Sequence, residues 1–163
     1  DITGYEFNFQ QDFEFLPAPF DGMFIALNLT WTDGDSTFKF EDNQSFTTPF
    51  RKLSDKQENF SIGYDKGKFD IRLAMNSRGE YLDWLADEES DIDKVSLQNS
   101  RFVAPHEQWD LKASYEINDN FRLKFEITNI EDRPEYYYWG YNDRLSQYDE
   151  YGTSYAIGFT YNN

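Results

Sequence analysis

The stretch PEYYYWGYNDRLSQYDEYG, residues 134 to 152, sets six tyrosines and a tryptophan among four acids and one arginine. Those residue types suit binding better than bond-making. Aromatic faces stack on sugar rings or planar chelates, and charged groups beside them supply directional hydrogen bonds. Tyr137, Trp139, Tyr141 and Arg144 are the candidate ligand contacts here, joined by Trp84 and Arg78 from an earlier segment. Consecutive tyrosines on extended backbone point to opposite faces, so only about half of the cluster can meet one ligand.

Catalytic and metal chemistry find little support. His106 is the only histidine, there is no cysteine, and neither a nucleophile motif nor a glycine-rich phosphate loop is present. No catalytic residue, metal site or cofactor is therefore expected, and His106 beside Pro105 reads as a loop residue where a strand begins. The acidic run DWLADEESDID, with acids at 83, 87, 88, 89, 91 and 93, lacks the acid spacing and the central glycine of an EF-hand. It reads as a solvated acidic loop, with weak Ca²⁺ bridging or attraction of a cationic ligand as the alternative. The formal charge of −16 leaves no basic patch for phosphates, which argues against nucleic acid.

The elements that position these residues are legible as alternation. In GYEFNFQQDFEFL, Tyr5, Phe7, Phe9, Phe13 and Phe15 share one parity, and Glu6, Asn8, Gln10, Asp12 and Glu14 the other. That is one apolar and one polar face of a strand. The pattern recurs in MFIALNLTWT, ENFSIGYD, FDIRLAMNSR, WDLKASYEI, FRLKFEIT and SYAIGFTYN, which makes seven strands. The connections LPAPFDG, DKGK and NDN are short and hold hairpin residues, whereas residues 33–58, 79–108 and 130–150 are long. The long ones carry 20 acids against 8 bases, or −12 of the total charge.

Short and long connections in alternation describe an up-and-down sheet whose two ends face different surroundings, as in outer-membrane barrels. No run of about 18 apolar residues occurs, so a membrane would be crossed by strands and not by a helix. Tyr64 and Phe69, Ile117 and Phe121, and Phe159 and Tyr161 sit beside the short turns, where an interface girdle would lie. The alternatives are a soluble antiparallel sandwich, whose apolar faces form a core, and a smaller outer-membrane barrel.

FEITNIEDRPEYYYWGYNDRLSQYDEYGTSYAIGFTYNN resembles the end of TonB-dependent outer-membrane receptors. The matching residues are Asn129, Ile130, Glu131, Asp132 and Pro134, then Gln147, Tyr148, Tyr151, Gly152, Thr153 and Tyr155. GYEFNFQQDFEFLP, LNLTWTDGD and IRLAMNSRGEYL also look like earlier strands of that family's barrel. The resemblance implies an all-β, antiparallel, up-and-down transmembrane barrel of 22 strands, of which residues 1–163 are the last seven, with the plug domain outside this chain. It implies a bacterial outer-membrane transporter that takes up a scarce nutrient of the siderophore, cobalamin or oligosaccharide class. Its partners would be the rest of the barrel and the plug, a TonB-type energy-coupling protein, outer-membrane lipid and a small-molecule nutrient. Thr153 stands where the family often has arginine, and Asn163 where it usually ends on an aromatic residue, so trimming of the C-terminus is expected. Tyr148 and Tyr151 are expected in the interface girdle or at the start of the closing strand.

Overall fold

Period-two alternation commits a segment to extended backbone, because only a strand returns residues i and i+2 to the same face. The computed structural model describes residues 1–39, 45–86 and 96–162. Its strands in chain order are β1 (Ile2–Asp12), β2 (Met23–Lys39), β3 (Ser45–Pro49), β4 (Lys56–Lys66), β5 (Phe69–Arg78), β6 (Tyr81–Ala86), β7 (Ser96–Val103), β8 (His106–Asn118), β9 (Phe121–Thr128), β10 (Glu135–Trp139), β11 (Leu145–Asp149) and β12 (Ser154–Tyr161). No α-helix occurs among the described residues.

Seven strands form one wall in the order β1-β2-β4-β5-β8-β9-β12, every neighbouring pair antiparallel. These are the seven that alternation predicts. The wall stays open among the described residues, with β1 and β12 at its edges. Register keeps like residues in line across it. Phe9, Leu27, Phe60, Met75 and Trp109 form one row on the apolar face. On the polar face Asn8, Asn28, Asn59, Asn76 and Gln108 form a row of carboxamides across five strands. Asn28 Nδ2 donates to Asn8 Oδ1, and Asn59 Nδ2 to Asn28 Oδ1 at 3.4 Å.

Elsewhere on the polar face Phe24 lies across Gly63. A Cβ at 63 would fall 2.4 Å from the Phe24 ring and 2.5 Å from the Ile71 carbonyl. The Arg72 guanidinium covers that ring at 5.2 Å from its centroid, so glycine makes room for a cation–π stack on an otherwise hydrated surface.

Two expectations need correction. The first strand ends at Asp12 and not at Phe15, because Leu16 N–H donates to the Phe13 carbonyl and turns the chain. The long connections also fold. β2 continues to Lys39 and pairs its far end with β3, while β6, β7, β10 and β11 form a second sheet in the order β11-β10-β7-β6. All of this lies at the end of the wall opposite the short turns, since these strands arise from the long connections.

Among the described residues the buried apolar side chains are Leu82, Leu85, Val103 and Tyr138, and all four belong to this upper sheet. Leu82 and Leu85 pack with Phe38, Phe46, Leu97 and Phe102, which docks one face of the sheet on the β2–β3 hairpin. The wall contributes none of them. Tyr5, Tyr155, Ile157 and Phe159 are 70% or more exposed, and Phe7, Phe69, Ile71 and Leu123 are exposed as well. A soluble sandwich needs a second layer over that face, and the described residues supply none. Soluble monomers rarely expose a contiguous apolar patch beyond a few hundred Å². At the short-turn end the exposed rings pair, Phe69 with Tyr115 at 4.8 Å and Phe121 with Phe159 at 5.5 Å, as an interface girdle requires.

Candidate functional site

Where β9 leaves the wall, Asn129 adopts φ +57, a left-handed conformation that asparagine tolerates better than most residues. Its Oδ1 accepts from Arg133 N–H at 2.9 Å and its Nδ2 donates to the Arg133 carbonyl at 3.0 Å. Its own N–H donates to Asp110 Oδ1, and Thr153 Oγ1 donates to its carbonyl at 2.8 Å. The Asn129–Pro134 motif is thus a clamp. It ties the exit of β9, the approach to β10 and the approach to β12 to one buried residue.

From that clamp β10 runs extended beside β7, and register sorts its aromatics. Tyr137 faces Val103 and Trp139 faces Arg101, while Tyr138 faces Phe102. Tyr138 stacks on Phe102 at 5.6 Å, on the side that holds Leu82. Tyr137 and Trp139 point the other way. Across β7, Tyr81 also pairs with Val103 and Trp84 with Arg101, because a bulge between Leu82 and Trp84 inserts Asp83 as an extra residue. Simple alternation would put Trp84 on the face opposite Tyr81. The bulge re-aims it, a recurrent use of such irregularities.

One face therefore carries two rows, Tyr81–Val103–Tyr137–Gln147 and Trp84–Arg101–Trp139. The indoles of Trp84 and Trp139 meet at 5.8 Å and 89°. Arg101 lies over the Tyr137 ring, its Cζ 5.4 Å from the centroid, and donates through Nε and Nη2 to Asp83 Oδ2. Arg78, at the end of β5, lies over Tyr81, pairs with Glu135 and donates to the Ala104 carbonyl. Glu135 in turn accepts from the Tyr137 hydroxyl at 2.9 Å. Burial, then the hydrogen bond to Glu135, push the Tyr137 phenol up to about 12. Burial and the bond to Glu80 push the Tyr138 phenol up as well, so both stay neutral donors at any physiological pH.

Of the six candidate contacts, Arg78, Trp84, Tyr137 and Trp139 share this face. Tyr141 and Arg144 lie in the β10–β11 turn, where Trp139 N–H donates to the Arg144 carbonyl and Arg144 Nη1 donates to the Gln98 carbonyl. Tyr141 is half exposed there. Tyr148 belongs to β11, opposite Tyr136, and not to a girdle or the closing strand, because residues 145–149 pair with β10 before the chain returns to the wall. Tyr151 lies between β11 and β12. His106 is the first residue of β8, paired with Arg78, and so belongs to the strand itself and not to the loop before it. Residues 87–95, which hold most of the acidic run, lie outside the described residues.

Sequence reasoning missed Tyr81, Asp83, Arg101 and Glu135. YLDWLA and RFV are short aromatic and β-branched runs bounded by turn or polar residues, the pattern that marks brief strands. No group of three or more His, Cys, Asp or Glu side chains is placed to hold a metal ion among the described residues.

A polar-faced antiparallel wall with an uncovered apolar back, and with folded connections gathered at one end, defines a segment of a transmembrane β-barrel. Residues 1–130 match the family described as TonB dependent receptor-like, beta-barrel, and the chain belongs to that family. It is a family of transporters and not of enzymes, characteristically found in the bacterial outer membrane. Its receptors work with a plug domain and TonB. No curated protein and no solved structure is matched by the chain.

Proposed function

We propose that the chain is the C-terminal part of the barrel domain of an outer-membrane receptor that takes up a scarce nutrient at the expense of an energised TonB-type partner. The observation that carries this reading is the wall itself, apolar and uncovered on one face and lined with carboxamides and charges on the other. Lipid meets the first face. The second, closed into a barrel, surrounds the plug.

The edges of β1 and β12 pair with strands of the remaining barrel, because hydrocarbon leaves unpaired N–H and C=O groups unsatisfied at several kcal/mol each. The upper sheet stands where a ligand arrives from outside. Its rows of Trp84, Trp139, Tyr81 and Tyr137 form the capture surface, with Tyr141 and Arg144 on the adjoining turn. A neutral organic nutrient suits this surface better than an anionic ferric siderophore, since the long connections carry −12.

Uptake of labelled ferric chelates, cyanocobalamin and oligosaccharides by cells making the full-length receptor tests the function. One ligand class is expected to accumulate only when the coupling protein is present and the inner membrane is energised. Uptake indifferent to that partner sinks the transport reading. So does a chain of these 163 residues that folds cooperatively as a monodisperse monomer in buffer without detergent.

A further inference from the structure

From the Trp84–Trp139 corner, and resting on the receptor reading above, we infer that the ligand is a neutral, polyhydroxylated molecule of the oligosaccharide kind. The two indoles stand nearly perpendicular, 5.8 Å apart, and form two walls of a corner on the face that continues into the polar side of the barrel wall through Arg78. Trp84 is 44% exposed. An indole face gives a pyranose ring's C–H surface a flat apolar partner without demanding charge.

The polar groups of the same face match hydroxyls and not an anion. Arg101 sits in register between the two tryptophans, and both of its bonds to Asp83 end on Oδ2, so they do not use Oδ1. The pair thus offers guanidinium donors and a carboxylate acceptor side by side with their charges matched. Vicinal hydroxyls, each a donor and an acceptor, satisfy such a pair. Arg78 is likewise matched by Glu135, and Arg144 is engaged with the Gln98 carbonyl. Glu80, Asp83, Glu135 and Asp149 outnumber these three arginines in the same sheet and its margins. At Arg101 and Arg78 an anionic chelate would have to displace existing ion pairs to be neutralised, whereas a neutral ligand leaves them intact. The Gln147 amide and Tyr137 hydroxyl extend the row, each held by a neighbouring carboxylate, Asp149 or Glu135, and so preorganised.

The test uses the purified full-length receptor in detergent, titrated by calorimetry and tryptophan fluorescence. The probes are neutral oligosaccharides from plant, fungal and bacterial polysaccharides, cyanocobalamin, a ferric catecholate and a ferric hydroxamate. At least one oligosaccharide class is expected to bind with a shift in tryptophan emission. Trp84→Ala and Trp139→Ala are each expected to weaken it roughly tenfold or more, the loss of about 1.4 kcal/mol. Trp139→Phe should keep most of the affinity, and Asp83→Asn should weaken binding while the barrel keeps its heat-modifiable gel mobility.

The inference is overturned if no oligosaccharide binds, or if binding ignores both tryptophan changes. It is also overturned if a ferric chelate or cyanocobalamin is the ligand that Trp84→Ala and Trp139→Ala abolish. Binding in detergent needs no energy coupling. Oligosaccharide binding without coupled uptake therefore counts against the transport reading alone, and coupled uptake of a ferric chelate through this corner counts against the sugar alone.

Discussion

Arg78 reaches Glu135 across 57 positions of sequence, with Nη2 3.4 Å from Oε1, and thereby joins the membrane wall to the upper sheet. Its other contacts, the Ala104 carbonyl at 3.1 Å and the Tyr81 ring at 5.1 Å, belong to the same upper layer. These contacts tie the binding surface to the polar lining of the wall.

Arg78→Ala is expected to loosen the upper sheet and spare the wall. It removes one ion pair, one hydrogen bond to a carbonyl and one cation–π contact, together of order 1–3 kcal/mol for partly exposed groups. Hydrogen exchange should quicken in β6, β7 and β10 and stay unchanged in β4 and β9. Arg78→Lys should recover only part, since an ammonium does not reproduce the guanidinium fork. Uniform acceleration through the wall would show that Arg78 supports the barrel as a whole.

Asn129→Ala should be among the costliest polar changes in the chain. It removes the two bonds to Arg133 and leaves alanine at φ +57. Each lost buried bond costs about 1–3 kcal/mol and the strained conformation about 1–2 kcal/mol more. Asn129→Gly should recover the backbone part only. The urea midpoint of the detergent-folded receptor reads both, in the order wild type, glycine, alanine. Equal midpoints for glycine and alanine would mean that the backbone conformation carries no cost.

The wall is legible in the sequence because each of its strands sets a run of three to five apolar side chains on one face, at every second position. The upper sheet is not legible, for three physical reasons. Three of its four strands are short, β6 six residues and β10 and β11 five each, so alternation has little length in which to show. Both of its faces carry aromatics, which erases the contrast that alternation relies on. Its central pairing, β7 with β10, is non-local, so no hairpin turn announces it. The composition of the candidate site was visible, and the split of Tyr136 to Trp139 between two faces followed from extended backbone. The partnership of Trp84 with Trp139 was not, since it depends on a bulge that breaks the parity on which any face assignment rests.

Alkali should act on the upper sheet through Tyr137. Its phenol, at about 12 when folded, ionises near 10 in an unfolded chain. Below pH 10 both states keep the proton and the full contribution of the neutral, Glu135-bonded hydroxyl is present. Between roughly pH 10 and 12 the unfolded chain binds fewer protons, so stability falls as pH rises, by of order 1–2 kcal/mol in all. Phenolate absorbance should show this group titrating late, and Tyr137→Phe should remove that step and flatten the alkaline decline of the urea midpoint. An unchanged late step in the variant would assign it to another tyrosine.

Gly140→Ala is expected to disable the capture surface without dismantling the barrel. Gly140 adopts φ +64, and a Cβ there would fall 2.2 Å from the Gln98 carbonyl oxygen and 2.6 Å from its carbon. Both obstacles are backbone, so β7 or the Trp139–Arg144 turn must shift. Trp139 precedes the turn directly and moves with it. Heat-modifiable mobility should persist while the Trp84–Trp139 contribution to near-ultraviolet circular dichroism falls. Retention of that signal would show that the turn absorbs the methyl group without moving Trp139.

Charge reversal of exposure gives the sharpest test of which face meets lipid. Ile157 and Thr160 lie on opposite faces of β12, and Ile157 is 78% exposed on the apolar side. If that face lies in hydrocarbon, Ile157→Arg costs about 2–4 kcal/mol near the midplane. The inserted, heat-modifiable fraction in liposomes should then drop steeply. Thr160→Arg places the same charge on the side that carries Arg122, its register partner, and Lys124, where water and the acids of the polar face receive it. It should fold to nearly the wild-type extent. A soluble protein with Ile157 facing water would tolerate both changes alike, so equal yields for the two variants would remove the membrane from the account of this wall.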